Sequence, residues 1–235
     1  MRRNLLILTA ACVAWISPAN AAPTVPKTDE DKALYALGVI LSRNLQPFAF
    51  TPAEYEVVKA GLADGMQDQS TIQDPDSYVS QLKELQKKRT AATAETEKAT
   101  GAAFLAKEAA VKGATKTASG IVIKTLTAGT GASPTAKDQV KVHYEGKLVN
   151  GKVFDSSIAR KEPATFPLSG VIPCWTEAVQ LMKVGGKSQI ICPSALAYGD
   201  AGRPQIPGGA TLVFQVELLE IVKPAAAAAP TTPTP

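Results

Sequence analysis

The chain has 235 residues, with 25 basic against 21 acidic side chains, one histidine and three cysteines. That length bounds it to one or two domains, and charge this evenly interspersed gives no clustered basic face for nucleic acid. Two cysteines and one distant histidine in the body of the chain do not by themselves complete a tetrahedral metal set, and no metal site is expected.

The chain opens with Met1-Arg2-Arg3, an apolar run from Leu5 to Ile16 and then Ala19-Asn20-Ala21. A short basic stretch, an apolar segment and an Ala-x-Ala site describe a secretory signal over residues 1–21. Spanning a bilayer takes about 20 apolar residues, and Pro18 and Asn20 interrupt this run too early. Lipidation of Cys12 is disfavoured by Thr9, which stands where a bacterial lipoprotein signal carries Leu. The expectation is an exported protein, periplasmic or outer-membrane-associated, with secretion as the alternative, and with no membrane span. Cleavage removes Arg2 and Arg3 and takes the formal charge from +4 to +2.

After a proline-bearing linker, Thr28 and Asp31 form a Thr-x-x-Asp capping box that starts a helix. Leu34, Leu37, Leu41 and Leu45 follow at three- and four-residue steps, and Pro47 ends it. A second helix begins with Thr51 as cap, Pro52 at the first helical position and Glu54 closing the box. Its apolar face is Tyr55, Val58, Leu62 and Met66. Two such helices cannot easily bury a core alone, so residues 22–74 are expected to form an all-α homodimerisation domain. Asp74-Pro75 opens a third stretch, rich in Ala, Lys, Glu and Gln, that predicts a long exposed helix over 75–112. Its sparse apolar residues suit a helix bridging domains rather than packing within one.

From Gly113 the period shortens to two. Ile121, Ile123 and Leu126, then Val140, Val142 and Tyr144, alternate as strand residues do. Asn150-Gly151 marks a hairpin. A short helix is expected around Trp175 to Met182, and strands near Ser188–Cys192 and Thr211–Ile221 close an α+β domain over 113–223. Residues 224–235 are almost entirely Ala, Pro and Thr and predict a disordered tail.

Candidates for chemistry are few. His143 lies between Val142 and Tyr144 and points to the opposite face of its strand, which reads as structural. Gly185-Gly186-Lys187-Ser188 fails as a phosphate loop because Leu181 occupies the first glycine position. No cofactor motif is present. Phe166 reads as core. Phe154-Asp155 sets a carboxylate beside an aromatic at a strand end, and Arg160 or Tyr198 could partner it. Cys174 and Cys192 are either a disulfide, favoured in an oxidising compartment, or two small buried hydrophobes.

Several motifs taken together resemble one family. They are Val142-His143-Tyr144-x-Gly146, Gly151-x-x-Phe154-Asp155-Ser156-Ser157, Val171-Ile172-Pro173-x-Trp175, Ala197-Tyr198-Gly199 and Ala210-Thr211-Leu212-Val213-Phe214. Residues 113–223 thereby resemble an FKBP-type peptidyl-prolyl isomerase domain. Asp31-Lys32-x-x-Tyr35-x-Leu37-Gly38 is similar to the dimerisation module of the macrophage infectivity potentiator branch.

The resemblance implies a bent antiparallel sheet wrapped around a short helix, acting on proline-containing unfolded or exported polypeptides. It also implies binding of macrolides such as tacrolimus and rapamycin. The pocket it implies has Trp175 as floor and Tyr144, Phe154, Val171, Ile172, Ile206 and Phe214 as walls, with Asp155 and Tyr198 at the rim. Asp155, Tyr198, Phe154 and Trp175 are then the catalytic set, and Arg160 a substrate-side residue oriented by Asp155. Three departures stand out: Ala164 where small human relatives have a pocket Phe, Cys174 before the Trp where Gly is common, and Arg203 where those relatives have His.

Overall fold

A computed structural model describes residues 25–222. The expected signal segment, 1–21, and tail, 224–235, lie outside the described residues. Helix α1 spans Asp29–Leu45, α2 Pro52–Met66 and α3 Val79–Ala109. The chain divides into two compact units inside α1, after Leu41.

Local chemistry sets these helices. The Thr28 hydroxyl accepts from the Asp31 amide at 3.0 Å while the Asp31 carboxylate accepts from the Thr28 amide at 3.0 Å, so two orphan donors at the start of α1 are satisfied reciprocally. Pro47 stops the regular helix and leaves a 3₁₀ turn, Gln46–Phe48. Thr51 and Glu54 repeat the capping box at α2. Glu54 also takes Arg89 of α3 at 2.5 Å, and Arg89 donates to the Phe48 carbonyl at 2.9 Å. The Arg89 hydrogen bonds, and after them those from Thr51, push the Glu54 carboxyl down to about 2. Neither α1 nor α2 has a buried residue, and Leu34, Leu37, Ile40, Leu41, Leu62 and Met66 are all exposed.

Helix α3 departs from the expectation of an exposed bridge that packs within no domain. Its Ala94 is 2 % exposed and Gly101 is also buried. A Cβ on Gly101 would stand 2.1 Å from the Thr211 hydroxyl, and one on Gly209 would stand 2.2 Å from the Ala94 carbonyl. Lys98 pairs with Asp200 at 2.7 Å and Lys124 with Glu108 at 2.7 Å. The contact is made by residues with little or no side chain, which let backbones approach closely; hydrophobic periodicity carries no trace of such a seam.

Seven strands follow: β1 Ala114–Lys116, β2 Val122–Thr127, β3 Gln139–Leu148, β4 Val153–Ser156, β5 Ala164–Pro167, β6 Lys187–Cys192 and β7 Leu212–Val222. They form one antiparallel sheet in the order β1-β2-β6-β7-β3-β4, with β5 also on β3. One edge of β3 is shared: β5 pairs with residues 139–142 and β4 with residues 145–147. Breaks in register between Thr125 and Thr127, Lys141 and Val142, and Gly146 and Lys147 mark where the ladder is irregular, the usual means of bending a sheet.

Strand β3 alternates cleanly, with Val140, Val142, Tyr144 and Leu148 buried. The single short helix α4, Pro173–Gln180, buries Cys174, Trp175, Ala178 and Val179 against that face. Pro173 occupies its first turn, so it starts two residues before the expected position. Cys174 of α4 is bonded to Cys192 of β6, 18 residues on. Closing a loop of this length contributes about 3 kcal/mol in the chain-entropy account. The bond ties the helix that carries Trp175 to the sheet beneath it.

Candidate active site

A cavity of about 640 Å³ opens where β3, β4, α4 and β7 meet the loop 197–206. Its lining includes Tyr144, Phe154, Asp155, Val171, Ile172, Trp175, Tyr198, Ile206 and Phe214. Of the expected set only Arg160 is not a lining residue; it reaches the rim through its contacts with Asp155 and Tyr144. Phe166, expected as core, also lines the cavity, together with Gly170, Ala197, Arg203, Pro204 and Gln205. Strand alternation could have found Phe166: it follows Ala164 by two residues and so shares its face of β5. Ala164 itself does not reach the cavity.

The floor is an aromatic cluster in edge-to-face contact. The Trp175 indole, 4 % exposed, lies 5.4 Å from the Tyr144 ring, 5.8 Å from Phe166 and 5.3 Å from Phe214. Phe154 packs on Phe214 at 5.7 Å. Each perpendicular pair sets a positive ring edge against a negative face, worth roughly 0.5–1.5 kcal/mol beyond area burial. Trp175 Nε1 is buried and has no hydrogen-bond partner among the described residues.

Gly146 is required by this packing. A Cβ there would lie 2.6 Å from Phe154 Cζ and 2.9 Å from Phe214 Cε1. Gly146→Ala must therefore push both rings, and we expect it to lower stability by about 1–3 kcal/mol. Urea unfolding measures that loss; an unchanged midpoint would show that the rings have room to move.

The rim carries two polar groupings. In the first, the Tyr144 hydroxyl donates to Asp155 Oδ2, Arg160 Nη1 donates to Asp155 Oδ1 at 2.5 Å, and Arg160 Nη2 donates to the Tyr144 hydroxyl at 3.1 Å. Burial tends to raise the Asp155 carboxyl, but the hydrogen bonds from Tyr144 and Arg160 outweigh it and hold the group below its ordinary value. Burial first, and the Asp155 hydrogen bond second, raise the Tyr144 phenol. Tyr144 thus keeps its proton and has already committed it to Asp155.

In the second grouping Arg203 donates to the Tyr198 hydroxyl at 2.8 Å, its guanidinium 4.8 Å from the Tyr198 ring centre. Arginine cannot accept a hydrogen bond, so this contact leaves Tyr198's own O–H free to donate elsewhere. Tyr198, one of two partners considered for Asp155, pairs with Arg203 instead. His143 lies outside the cavity lining, with Nδ1 3.1 Å from the Ser157 hydroxyl.

Among the described residues no three His, Cys, Asp or Glu cluster as metal ligands, and no helix is long and apolar enough to cross a membrane. The arrangement offers an aromatic-floored slot, a fixed carboxylate and free donors at the mouth.

Residues 131–219 match the family described as FKBP-type peptidyl-prolyl cis-trans isomerase, and residues 30–124 match the domain amino-terminal to it. The FKBP-type isomerase FkpA of Aeromonas hydrophila is 41 % identical over 221 residues, covering 89 % of this chain and 82 % of that protein. The chain belongs to the FKBP-type peptidyl-prolyl cis-trans isomerases. The Outer membrane protein MIP of Legionella longbeachae is 38 % identical, covering 94 % of this chain and 100 % of that one. The crystal structure of FkpA from Escherichia coli superposes with a TM-score of 0.64 at 36 % identity, covering 86 % of this chain and 100 % of that one. As an FKBP-type isomerase, the protein interconverts the cis and trans forms of X-Pro bonds, and the aromatic cavity is its candidate site.

Proposed function

We propose that this isomerase assists folding of exported polypeptides by taking a proline ring into the aromatic cavity and easing rotation of its imide bond. The uncatalysed barrier is about 18–20 kcal/mol because amide resonance must be broken. Water hydrogen-bonded to the carbonyl oxygen strengthens that resonance, and an apolar slot removes it. Trp175, Phe154 and Phe214 would hold the ring, with Tyr144, Val171, Ile172 and Ile206 as walls. Tyr198, whose proton is uncommitted, would donate to a substrate carbonyl. So would the Ile172 amide, at a helix start where backbone donors lack partners inside the helix.

Asp155 would stabilise the twisted carbonyl electrostatically and hold Arg160 and Tyr144 in place. Lowering the barrier by about 7 kcal/mol corresponds to ~10⁵-fold acceleration. The observation that carries this reading is the joining of Tyr144, Asp155 and Arg160 at the mouth of the Trp175-floored cavity.

The reading assigns residues 113–223 to the isomerase domain, 75–112 to a connecting helix and 22–74 to a homodimerisation domain. The uncovered apolar side chains of α1 and α2 favour self-association. They also suit a second reading, a holdase that shields unfolded chains and uses the cavity as a proline-binding module. A signal over 1–21 would deliver the protein to the periplasm or outer membrane. A protease-coupled prolyl assay with and without rapamycin tests the site: the expected result is catalysis abolished by the macrolide. Full activity in its presence would detach the activity from this cavity.

A further inference from the structure

A second cavity, of about 590 Å³, lies on the other side of the loop 203–206. Arg203, Pro204, Gln205 and Ile206 line both this cavity and the aromatic one, so the loop is a partition with two working faces. The remaining walls come from the end of α1, the 3₁₀ turn after it, the middle of α3 and the β3–β4 hairpin. The volume falls within the usual range of ligand sites, about 300–1,000 Å³.

Its charge is one-sided. Arg43, Lys152 and Arg203 line it together with amides such as Gln86, Asn150 and Gln205, and no carboxylate is among the lining side chains. Asp200, the acid just before the partition loop, is taken up by Lys98 at 2.7 Å. Arg43 and Lys152, with no carboxylate in the same wall, attract anions, while the Arg203 guanidinium is held at Tyr198 on the other face; amide side chains both donate to and accept from a peptide backbone.

We infer that this cavity is an accessory polypeptide site that receives an acidic, extended segment flanking the proline held in the aromatic cavity. Two observations fix that occupant. The charge selects an acidic segment, and the shared loop makes the site continuous with the isomerase cavity, so one chain can lie across the partition and enter both. Four extended residues reach about 13 Å, so acids placed a few residues from the proline can probe both sides of a loop only four residues long. The inference rests on the aromatic cavity being the isomerase site. It makes the second cavity a determinant of which prolines are served: those a short distance from acidic sequence.

The test compares three kinds of substrate on the full chain. One is a neutral tetrapeptide with a Leu-Pro core. The second is a pair of fourteen-residue peptides with the same core and four glutamates placed on one side of it, starting a few residues before or after the proline. The third replaces those glutamates by glutamines. Isomerisation is read by exchange NMR, with KM and kcat separated. The expected result is a KM three- to tenfold lower for one of the two glutamate peptides than for its glutamine twin. The difference should shrink at high salt, as surface charge attraction does.

In the Arg43→Glu/Lys152→Glu double variant the advantage should vanish while tetrapeptide turnover stays at the wild-type level. Equal KM values for glutamate and glutamine peptides in the wild type would overturn the inference, as would an advantage that survives in the variant. The tetrapeptide keeps the two questions apart: loss of its turnover under rapamycin supports the isomerase site whatever the long peptides do.

Discussion

Replacing Asp155 by leucine is expected to lower kcat/KM for prolyl isomerisation by about 10²-fold or more, the scale on which a preorganised polar group at a reacting carbonyl is missed. The Asp155 carboxylate binds two partners at once, the Tyr144 hydroxyl and Arg160. Leucine has similar bulk but accepts nothing. Arg160 would swing into solvent and the Tyr144 proton would lose its acceptor, while the aromatic floor stays packed. Anti-aggregation activity, if it resides in the helical half, should largely persist. A variant that isomerises at the full rate in a protease-coupled assay would remove Asp155 from the mechanism.

The same contacts set the pH behaviour. A carboxyl held below its ordinary value in the folded state binds fewer protons there than in the unfolded chain. Its contribution to stability is therefore complete above about pH 3.9, the usual aspartate value, and is lost as pH falls through the lowered one. Activity on a neutral peptide should accordingly be flat from about pH 5 to pH 8 as far as Asp155 is concerned. A midpoint near pH ~6, abolished in the leucine variant, would mean that burial rather than the Tyr144 and Arg160 contacts governs the group.

The second large effect concerns assembly. Leu34 is 62 % exposed, and Leu37, Ile40 and Leu41 stand open on the same helix. Burying one such side chain is worth roughly 1.5–3 kcal/mol, so a patch of them is a strong drive to self-association. If the full-length chain is the proposed dimer, Leu37→Glu combined with Leu41→Glu should turn it into a monomer in sedimentation. Activity on a short peptide should stay within about twofold, because these positions lie far along the chain from the cavity residues. A wild-type protein that sediments as a monomer would contradict the proposed dimer outright.

How much the sequence disclosed follows from the range of each interaction. Thr28 with Asp31, and Thr51 with Glu54, are contacts three residues apart, so both capping boxes are legible in the order of the residues alone. Alternation along β3 and the turn at Asn150-Gly151 are equally local; Gly151 indeed has a positive φ of 87°. The cavity was legible for a different reason, because its side chains sit in short motifs of one family.

Pairings set by loop conformation or made across the fold left less trace. Tyr198 could be weighed as a partner for Asp155 because a buried carboxylate needs a donor, but Arg203, five residues on, is the one that holds it. The seam of Ala94 and Gly101 was invisible because closeness there comes from the absence of side-chain atoms, which no hydrophobic pattern records. Strand β4, four residues long, is too short to show a period.

That seam bears on any attempt to work with the catalytic half in isolation. Severing the chain at Gly113 would strip the cover from the backbone at Gly208 and Gly209 and leave Asp200 without Lys98. The excised piece would keep its aromatic floor and its carboxylate, yet its mouth would have lost an outside brace. The stalk that leads into the sheet is thus also scaffolding for the backbone beside the doorway, and grafting this domain onto another carrier without it would leave that backbone unsupported.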